Sequence, residues 1–287
     1  MKGSGGVLSG HMARGERALR AALGAVDLVW EVADARCPRA SRNPALARLC
    51  GGKARLILLA KSDLAEQEAT GRWLASLGAE AETLALDLRQ ADDLSALWRA
   101  SRDALARAGA RPLGGEGYRA LAAGMPNTGK STLLNRVLGQ HRAAVGARGG
   151  ITRGPQWFRV PEGGAVLDLP GILAPRLGAW PVAWRLWAIG AVGPEALDAG
   201  RAGASLAEWI VARIPRALEA RYDLDEVGAQ GEGGGLLLDG IARRRGLLGR
   251  GAVPDRSRAA AVLLADFRRG LLGAVTLEDP EPGGPLP

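Results

Sequence analysis

Gly124-Met125-Pro126-Asn127-Thr128-Gly129-Lys130-Ser131-Thr132 is the stretch whose reading decides the fold. It fits G-x-x-x-x-G-K-[ST] without a gap. Tyr118 to Ala123 before it is an apolar run of strand length, and Leu133 to Leu138 after it is apolar at helical spacing and stops at Gly139. Strand, glycine loop and helix N-terminus together form an anion cradle, because successive backbone N–H groups point inward and the helix dipole favours negative charge. The pattern predicts a nucleotide site in which Asn127, Thr128, Gly129, Lys130, Ser131 and Thr132 surround phosphates. Lys130 is expected to reach the β- and γ-phosphates, and the Ser131 hydroxyl to ligate Mg²⁺. A glycine-rich turn matching by chance is the competing account; the flanking strand and helix are the context that argues against it.

A second element downstream, Asp168-Leu169-Pro170-Gly171, fits D-x-x-G at the end of a strand. Its aspartate is expected to hold Mg²⁺ through water, and the Gly171 N–H to meet the γ-phosphate. Between the two lies Gly149-Gly150-Ile151-Thr152, where Thr152 would complete the Mg²⁺ shell in a switch loop that orders with a triphosphate. The base reader should be N-K-x-D, and the chain offers Ala60-Lys61-Ser62-Asp63. There the Asp63 carboxylate would accept two hydrogen bonds from guanine while the Lys61 stem packs on the ring. The alternative is a strand end that merely starts a helix, with Ser62 or Asp63 as its N-cap. This segment precedes the phosphate loop, the reverse of the usual order. A circular permutation accounts for that, since domain termini lie close enough to be joined and reopened elsewhere.

Outward from these motifs, strands and helices alternate. Helical spacing runs from His11 to about Leu23, and Val26 to Ala33 reads as a strand ending at Asp34. A proline-punctuated loop and a short helix (Ala45 to Cys50) lead to Ala54–Leu59, a continuous apolar run of the kind found in buried parallel strands. A helix over Glu66–Leu77, a strand over Thr83–Leu86 and a helix over Asp92–Ala108 follow, then a linker, Gly109 to Gly117. Gln156–Val160 and Ala165–Leu167 read as a strand pair. The alternation predicts an α/β fold, a P-loop GTPase domain with permuted motif order and a mostly parallel sheet.

From about Gly178 strand signals stop. Helical candidates lie at Ala183–Val192, Ser205–Ile214, Arg216–Tyr222, Leu236–Arg245 and Asp255–Leu272. The expected division is therefore 1–178, the GTPase domain, and 179–287, a smaller all-helical C-terminal domain. Trp180, Trp184 and Trp187 sit at helical spacing and read as core.

Net charge is +8 over 287 residues, and lysine occurs only at Lys2, Lys53, Lys61 and Lys130, so arginine carries the basicity. Arginine suits phosphate and RNA through its planar fork; a GC-rich genome explains the bias equally well. Arg243, Arg244, Arg245, Arg250, Arg256, Arg258, Arg268 and Arg269 mark the C-terminal region as an RNA-facing surface or as a solvated helix face. Two cysteines and two histidines exclude a disulfide framework and make a histidine metal site unexpected. No signal peptide or apolar run of spanning length is seen, so a soluble, cytoplasmic protein that engages no membrane is expected.

Taken in order, the motifs resemble those of the circularly permuted GTPases of the ribosome biogenesis GTPase A family. The carrying segments are Gly10-His11-Met12-Ala13, Asp34-Ala35-Arg36, Ser41-Arg42-Asn43-Pro44, Lys61-x-Asp63, Pro126 to Leu133, Gly150-Ile151-Thr152, Asp168-x-Pro170-Gly171-Ile172 and Arg221-Tyr222-x-Leu224-Asp225-Glu226. The resemblance implies GTP hydrolysis to GDP, coupled to late assembly of the large ribosomal subunit, with a C-terminal domain that contacts rRNA. It further implies Mg²⁺ as cofactor, a K⁺ beside the phosphates held by Asn127, and a monomer whose partner is the large-subunit precursor. Ala60 stands where the family has asparagine. Ile172 follows D-x-x-G where many GTPases carry a water-orienting glutamine, which leaves His11 as the residue expected to orient the attacking water. A nucleotide-gated ribosome- or RNA-binding scaffold with little turnover is the alternative reading.

Overall fold

In a computed structural model the described residues are 17–90, 94–110, 117–139, 155–160, 163–169, 177–224 and 233–280. Two neighbouring interior strands of the sheet carry apolar side chains on both faces, as strands covered on both sides require. In β1 (Leu28–Asp34), Leu28, Trp30 and Val32 enter one layer while Val29 and Ala33 enter the opposite one. In β2 (Ala54–Ala60), Leu56, Leu58 and Ala60 oppose Ile57 and Leu59 in the same way. With β3 (Glu82–Leu86), β4 (Tyr118–Gly124), β5 (Gln156–Arg159) and β6 (Gly164–Asp168) they make a six-stranded sheet in the order β3-β2-β1-β4-β6-β5. Every neighbouring pair is parallel except β5 with β6. That exception follows from a tight reversal: Gly163 N–H donates to the Val160 carbonyl, and Gly163 and Gly164 take φ of 81° and 107°.

Helices cover both faces. α1 (Pro44–Cys50), α2 (Gln67–Gly78) and the helical residues 17–24 pack on one face through Leu46, Trp73, Leu77, Leu19 and Leu23. α3 (Ser95–Arg107) and α4 (Lys130–Leu138) pack on the other through Leu97, Trp98, Leu105, Leu133 and Val137. This is the α/β layering the alternation predicts. α3 begins at Ser95 rather than Asp92, and Asp92 lies outside the described residues.

Beyond the sheet the described residues form helices: α5 (Trp180–Ile189), α6 (Ala199–Arg213), α7 (Ala217–Tyr222), α8 (Gly234–Arg244) and α9 (Arg256–Arg268). Trp184 and Trp187 are buried in its core with Leu206, Ile210, Leu263 and Phe267. α6 starts at Ala199, six residues before the Ser205 that spacing suggests, and α8 starts at Gly234 rather than Leu236. The glycines that read as breaks are places of close approach. A Cβ on Gly203 would lie 2.4 Å from the Ala260 Cβ, and one on Gly234 would lie 2.0 Å from the Ala204 carbonyl oxygen. The Asp198 carboxylate caps α6 by accepting from Arg201 N–H at 2.7 Å. α9 ends at Arg268 rather than Leu272 because Gly270 turns into the left-handed region (φ 76°), and Leu271 N–H then bonds back to the Asp266 carbonyl.

The last described residues return to the sheet. Val275 N–H donates to the Leu64 carbonyl at 3.1 Å and Leu277 N–H to the Arg36 carbonyl at 2.6 Å, while the Glu278 carboxylate accepts from Ala40 N–H at 3.0 Å. Trp73 Nε1 in turn donates to the Glu278 carbonyl at 2.9 Å. Among the described residues no helix is long and apolar enough to cross a membrane.

The crowding at Gly203 sets a test of helix packing against helix propensity. Replacing an exposed helical glycine by alanine gains about 0.5–1 kcal/mol, but overpacking a tight contact costs about 1–3 kcal/mol. Gly203→Ala is expected to lower stability in urea denaturation; a stabilised variant would show that the α6–α9 contact yields freely.

Candidate nucleotide-binding site

The sheet brings the sequence motifs to one edge. Parallel register pairs Asp34 with Ala60, Val32 with Gly124, and Ala122 with Asp168, so β1, β2, β4 and β6 all deliver their C-terminal ends to the same side. That edge is where open α/β sheets bind ligands. β1 and β4 approach so closely that a Cβ on Gly124 would lie 2.5 Å from the Val32 carbonyl oxygen.

Asp34, the last residue of β1, is fully buried and organises the edge. Its carboxylate accepts a fork from Arg36, Nε to Oδ1 at 2.9 Å and Nη2 to Oδ2 at 2.8 Å. The same Oδ2 accepts from Lys61 Nζ at 2.8 Å. Burial pushes the Asp34 carboxyl pKa up, but the charges and hydrogen bonds of Arg36 and Lys61 outweigh it and hold it below the usual aspartate value. Lys61, in the left-handed region at φ 60°, also donates to the backbone carbonyl of Asn127. The segment expected to read the base is thereby bonded to the phosphate loop.

On the phosphate side Gly129 takes φ 114°, and a Cβ there would lie 2.9 Å from the Ala60 Cβ. Only glycine fits that space and that backbone. Thr128 is fully buried, with its hydroxyl on the Met125 carbonyl at 2.9 Å, so its side chain braces the loop and leaves the backbone N–H for a ligand. Lys130 opens α4 and its Nζ meets Asp168 Oδ1 at 2.7 Å, while Ser131 and Thr132 are exposed on the first turn. Hydroxyl and carboxylate are hard oxygen donors. They suit Mg²⁺, which takes one or two carboxylates and completes its shell with substrate phosphates and water. That chemistry needs no clustered ligands. Among the described residues no group of three or more His, Cys, Asp and Glu could hold a metal alone.

In the segment expected to read the base, Ser62 is half-buried and Asp63 exposed in the 3-10 turn Ser62–Leu64. Partial burial and then the neighbouring Asp87 charge raise the Asp63 pKa. The following loop is drawn in by α4: Arg136 Nε donates to the Leu88 carbonyl at 2.8 Å, and its Nη2 to that of Arg89. Leu88 thus sits against Gly129, 3.6 Å from where a Cβ would be.

Asn127 departs from the simple picture. Its Nδ2 donates to the Gly190 carbonyl at 2.7 Å, just past the C-terminus of α5, and Met125 of the same loop is buried in the helical core. His11, Thr152, Gly171 and Ile172 lie outside the described residues. Sequence reasoning did not assign Asp34 or Arg136 to the site. Asp34-Ala35-Arg36 at a strand end was the available signal for the first, whereas Arg136 reads as one more charge on an amphipathic helix. Arg268, grouped by sequence with the outward arginines, instead turns inward and donates to the Ala188 and Trp187 carbonyls.

Removing one member of a buried ion pair costs about 3–5 kcal/mol. Asp34→Asn is therefore expected to destabilise the fold by that order and to weaken nucleotide binding with it. Because the folded pKa is depressed, the Asp34 contribution is present above the unfolded value of about 3.9 and is lost as pH falls through the lower folded value. Acid denaturation of wild type and variant should converge there; equal stability at neutral pH would remove Asp34 from its organising role.

Residues 119–190 match the family described as 50S ribosome-binding GTPase. Over 94% of its length this chain is 32% identical to the ribosome biogenesis GTPase A of Priestia megaterium, covering 95% of that protein. It is 31% identical to the ribosome biogenesis GTPase A of Thermotoga maritima, with 95% of this chain and 93% of the relative covered. The structure of GNP-bound YlqF from T. maritima superposes with a TM-score of 0.64 at 26% identity, over 93% of this chain and 99% of that one. Full-length similarity and the grouped strand-end motifs lead to one assignment: the chain belongs to the ribosome biogenesis GTPase A family.

Proposed function

We propose that this chain hydrolyses GTP as an assembly factor of the large ribosomal subunit, its nucleotide state setting its hold on rRNA. One observation carries the reading. Lys61, expected beside the guanine, is bonded to the phosphate loop through the Asn127 carbonyl, so two segments far apart in the chain, one expected to read the base and one to hold phosphate, meet at one edge of the sheet. In this reading Lys61, Ser62 and Asp63 hold the guanine, with Ala60 behind them. The backbone from Asn127 to Thr132 and the Gly171 N–H receive the phosphates, and Lys130 leaves Asp168 for the β- and γ-phosphates. Ser131, Asp168 and Thr152 would hold Mg²⁺, which neutralises charge developing on the phosphates. Asn127 Oδ1 would offer a ligand to K⁺. His11 orients the attacking water, since Ile172 carries no group able to do so.

The base reader preceding the phosphate loop supports a circular permutation, with 1–178 as the GTPase domain and 179–287 as the domain that meets rRNA in the cytoplasm. Exposed Arg243, Arg244, Arg245, Arg250, Arg258 and Arg269 support an RNA-facing surface there. The contacts of Asn127 and Met125 with the helical core support a link between nucleotide state and that surface.

Titration of labelled GTP against ATP, with and without large-subunit precursor, tests the reading. GTP should be preferred, and the precursor should accelerate phosphate release; a chain that ignores guanine nucleotides would end the proposal. One side-chain hydrogen bond is worth about 0.5–1.5 kcal/mol, so Ala60→Asn should tighten GTP by no more than about tenfold. Single-turnover hydrolysis on the subunit should fall sharply in His11→Ala, and an unchanged rate would remove His11 from the mechanism.

A further inference from the structure

Consecutive residues of α9 reach the phosphate loop by two routes that meet at Asn127. In the first, the Arg36 guanidinium lies over the Phe267 ring at 5.0 Å from its centroid. Arg36 grips Asp34, Asp34 holds Lys61, and Lys61 donates to the Asn127 carbonyl. In the second, Arg268 donates from Nε to the Ala188 carbonyl at 2.9 Å and from Nη2 to the Trp187 carbonyl at 2.5 Å. Those are carbonyls of the last turn of α5, where a cation is favoured, and the Trp187 carbonyl also accepts from Gly190 N–H at 3.1 Å. The next carbonyl but one, that of Gly190, is the one Asn127 Nδ2 donates to.

The fit at Gly190 is close. Its φ is 81°, and a Cβ there would lie 3.2 Å from Arg268 Cζ, so the guanidinium packs flush against the turn that presents the carbonyl. At the far end Asn127 holds φ 59°, a conformation uncommon for a residue with a side chain. Backbone and side chain of Asn127 are thus each fixed by a partner, and both partners are set from α9.

We infer that Arg268 is a positioning residue for the nucleotide site: by clamping the end of α5 it presents the Gly190 carbonyl that holds Asn127, and so keeps the phosphate loop in its binding shape. The inference rests on the nucleotide site proposed above and adds a specific line from the helical domain to it. α9 also carries exposed Arg258, with exposed Arg269 just past its end. A contact that shifts the helix on RNA would reach Asn127 through Phe267 and Arg268 together.

A double-mutant cycle read on nucleotide dissociation tests this, because coupling separates a linked pair from two independent sites. Dissociation of a fluorescent GDP is measured for wild type, Arg268→Ala, Asn127→Ala and the double variant, with thermal midpoints recorded alongside. Loss of one positioning hydrogen bond should speed dissociation about three- to tenfold in each single variant, and the double variant should be no faster than Asn127→Ala alone. Arg268→Lys, which keeps a donor at the α5 terminus, should recover part of the effect and serves as the folded variant if Arg268→Ala does not fold. Unchanged dissociation in Arg268→Ala, effects that multiply in the double variant, or, where Arg268→Ala does not fold, an Arg268→Lys protein identical to wild type would overturn the inference while leaving the nucleotide site intact. A wild-type chain that binds no GDP would overturn both.

Discussion

Asp34 is the constraint on which the nucleotide edge depends. A carboxylate with no access to water must be paired, and here one carboxylate is shared by two cations that come from different strand ends. Arg36 belongs to the loop leaving β1 and stacks on Phe267 of α9; Lys61 belongs to the loop leaving β2 and bonds to the loop leaving β4. The positions of three loops are therefore not independent. A shift of any one leaves a buried charge unmatched, a stronger penalty than loss of an apolar contact.

Much of the α/β part was legible because its signals are local. β1 and β2 are long apolar runs, and the phosphate loop is a contiguous pattern between a strand and a helix. The edge chemistry was less legible, because Asp34, Lys61 and Asn127 meet only after parallel strands have been aligned, and no spacing along the chain records that alignment. The helical region failed in a different way. Gly203 and Gly234 read as interruptions because an isolated helix disfavours glycine, whereas between packed helices the missing Cβ is what the contact uses. Arg268 read as facing outward, to RNA or to solvent, because a charge on an amphipathic helix usually does. Its partners are carbonyls of another helix's terminus, invisible to any periodicity.

Contact between the sheet and the helices is more intimate than a linker joining two bodies would give. Met125 of the phosphate loop and Cys37 of the loop after β1 are buried in the same apolar core as Trp187 and Phe267. Polar contacts cross the same boundary at Asn127, Arg36 and Glu278. The helical region thus serves as one wall of the nucleotide edge, and its packing contributes to the stability of loops that in isolation would have few apolar neighbours.

The returning segment carries a consequence for biosynthesis. Glu278 braces the backbone at Arg39 and Ala40 across a separation of 239 and 238 positions, and Val275 and Thr276 brace Leu64 and Glu66 at comparable range. A ribosome emits the loops after β1 and β2 early and this brace late. During translation those loops must wait, unsupported, until α5 to α9 have emerged and packed. The nascent chain therefore cannot complete its nucleotide edge piecemeal: a factor that helps build ribosomes would become competent only once residues as far as Glu278 have left one.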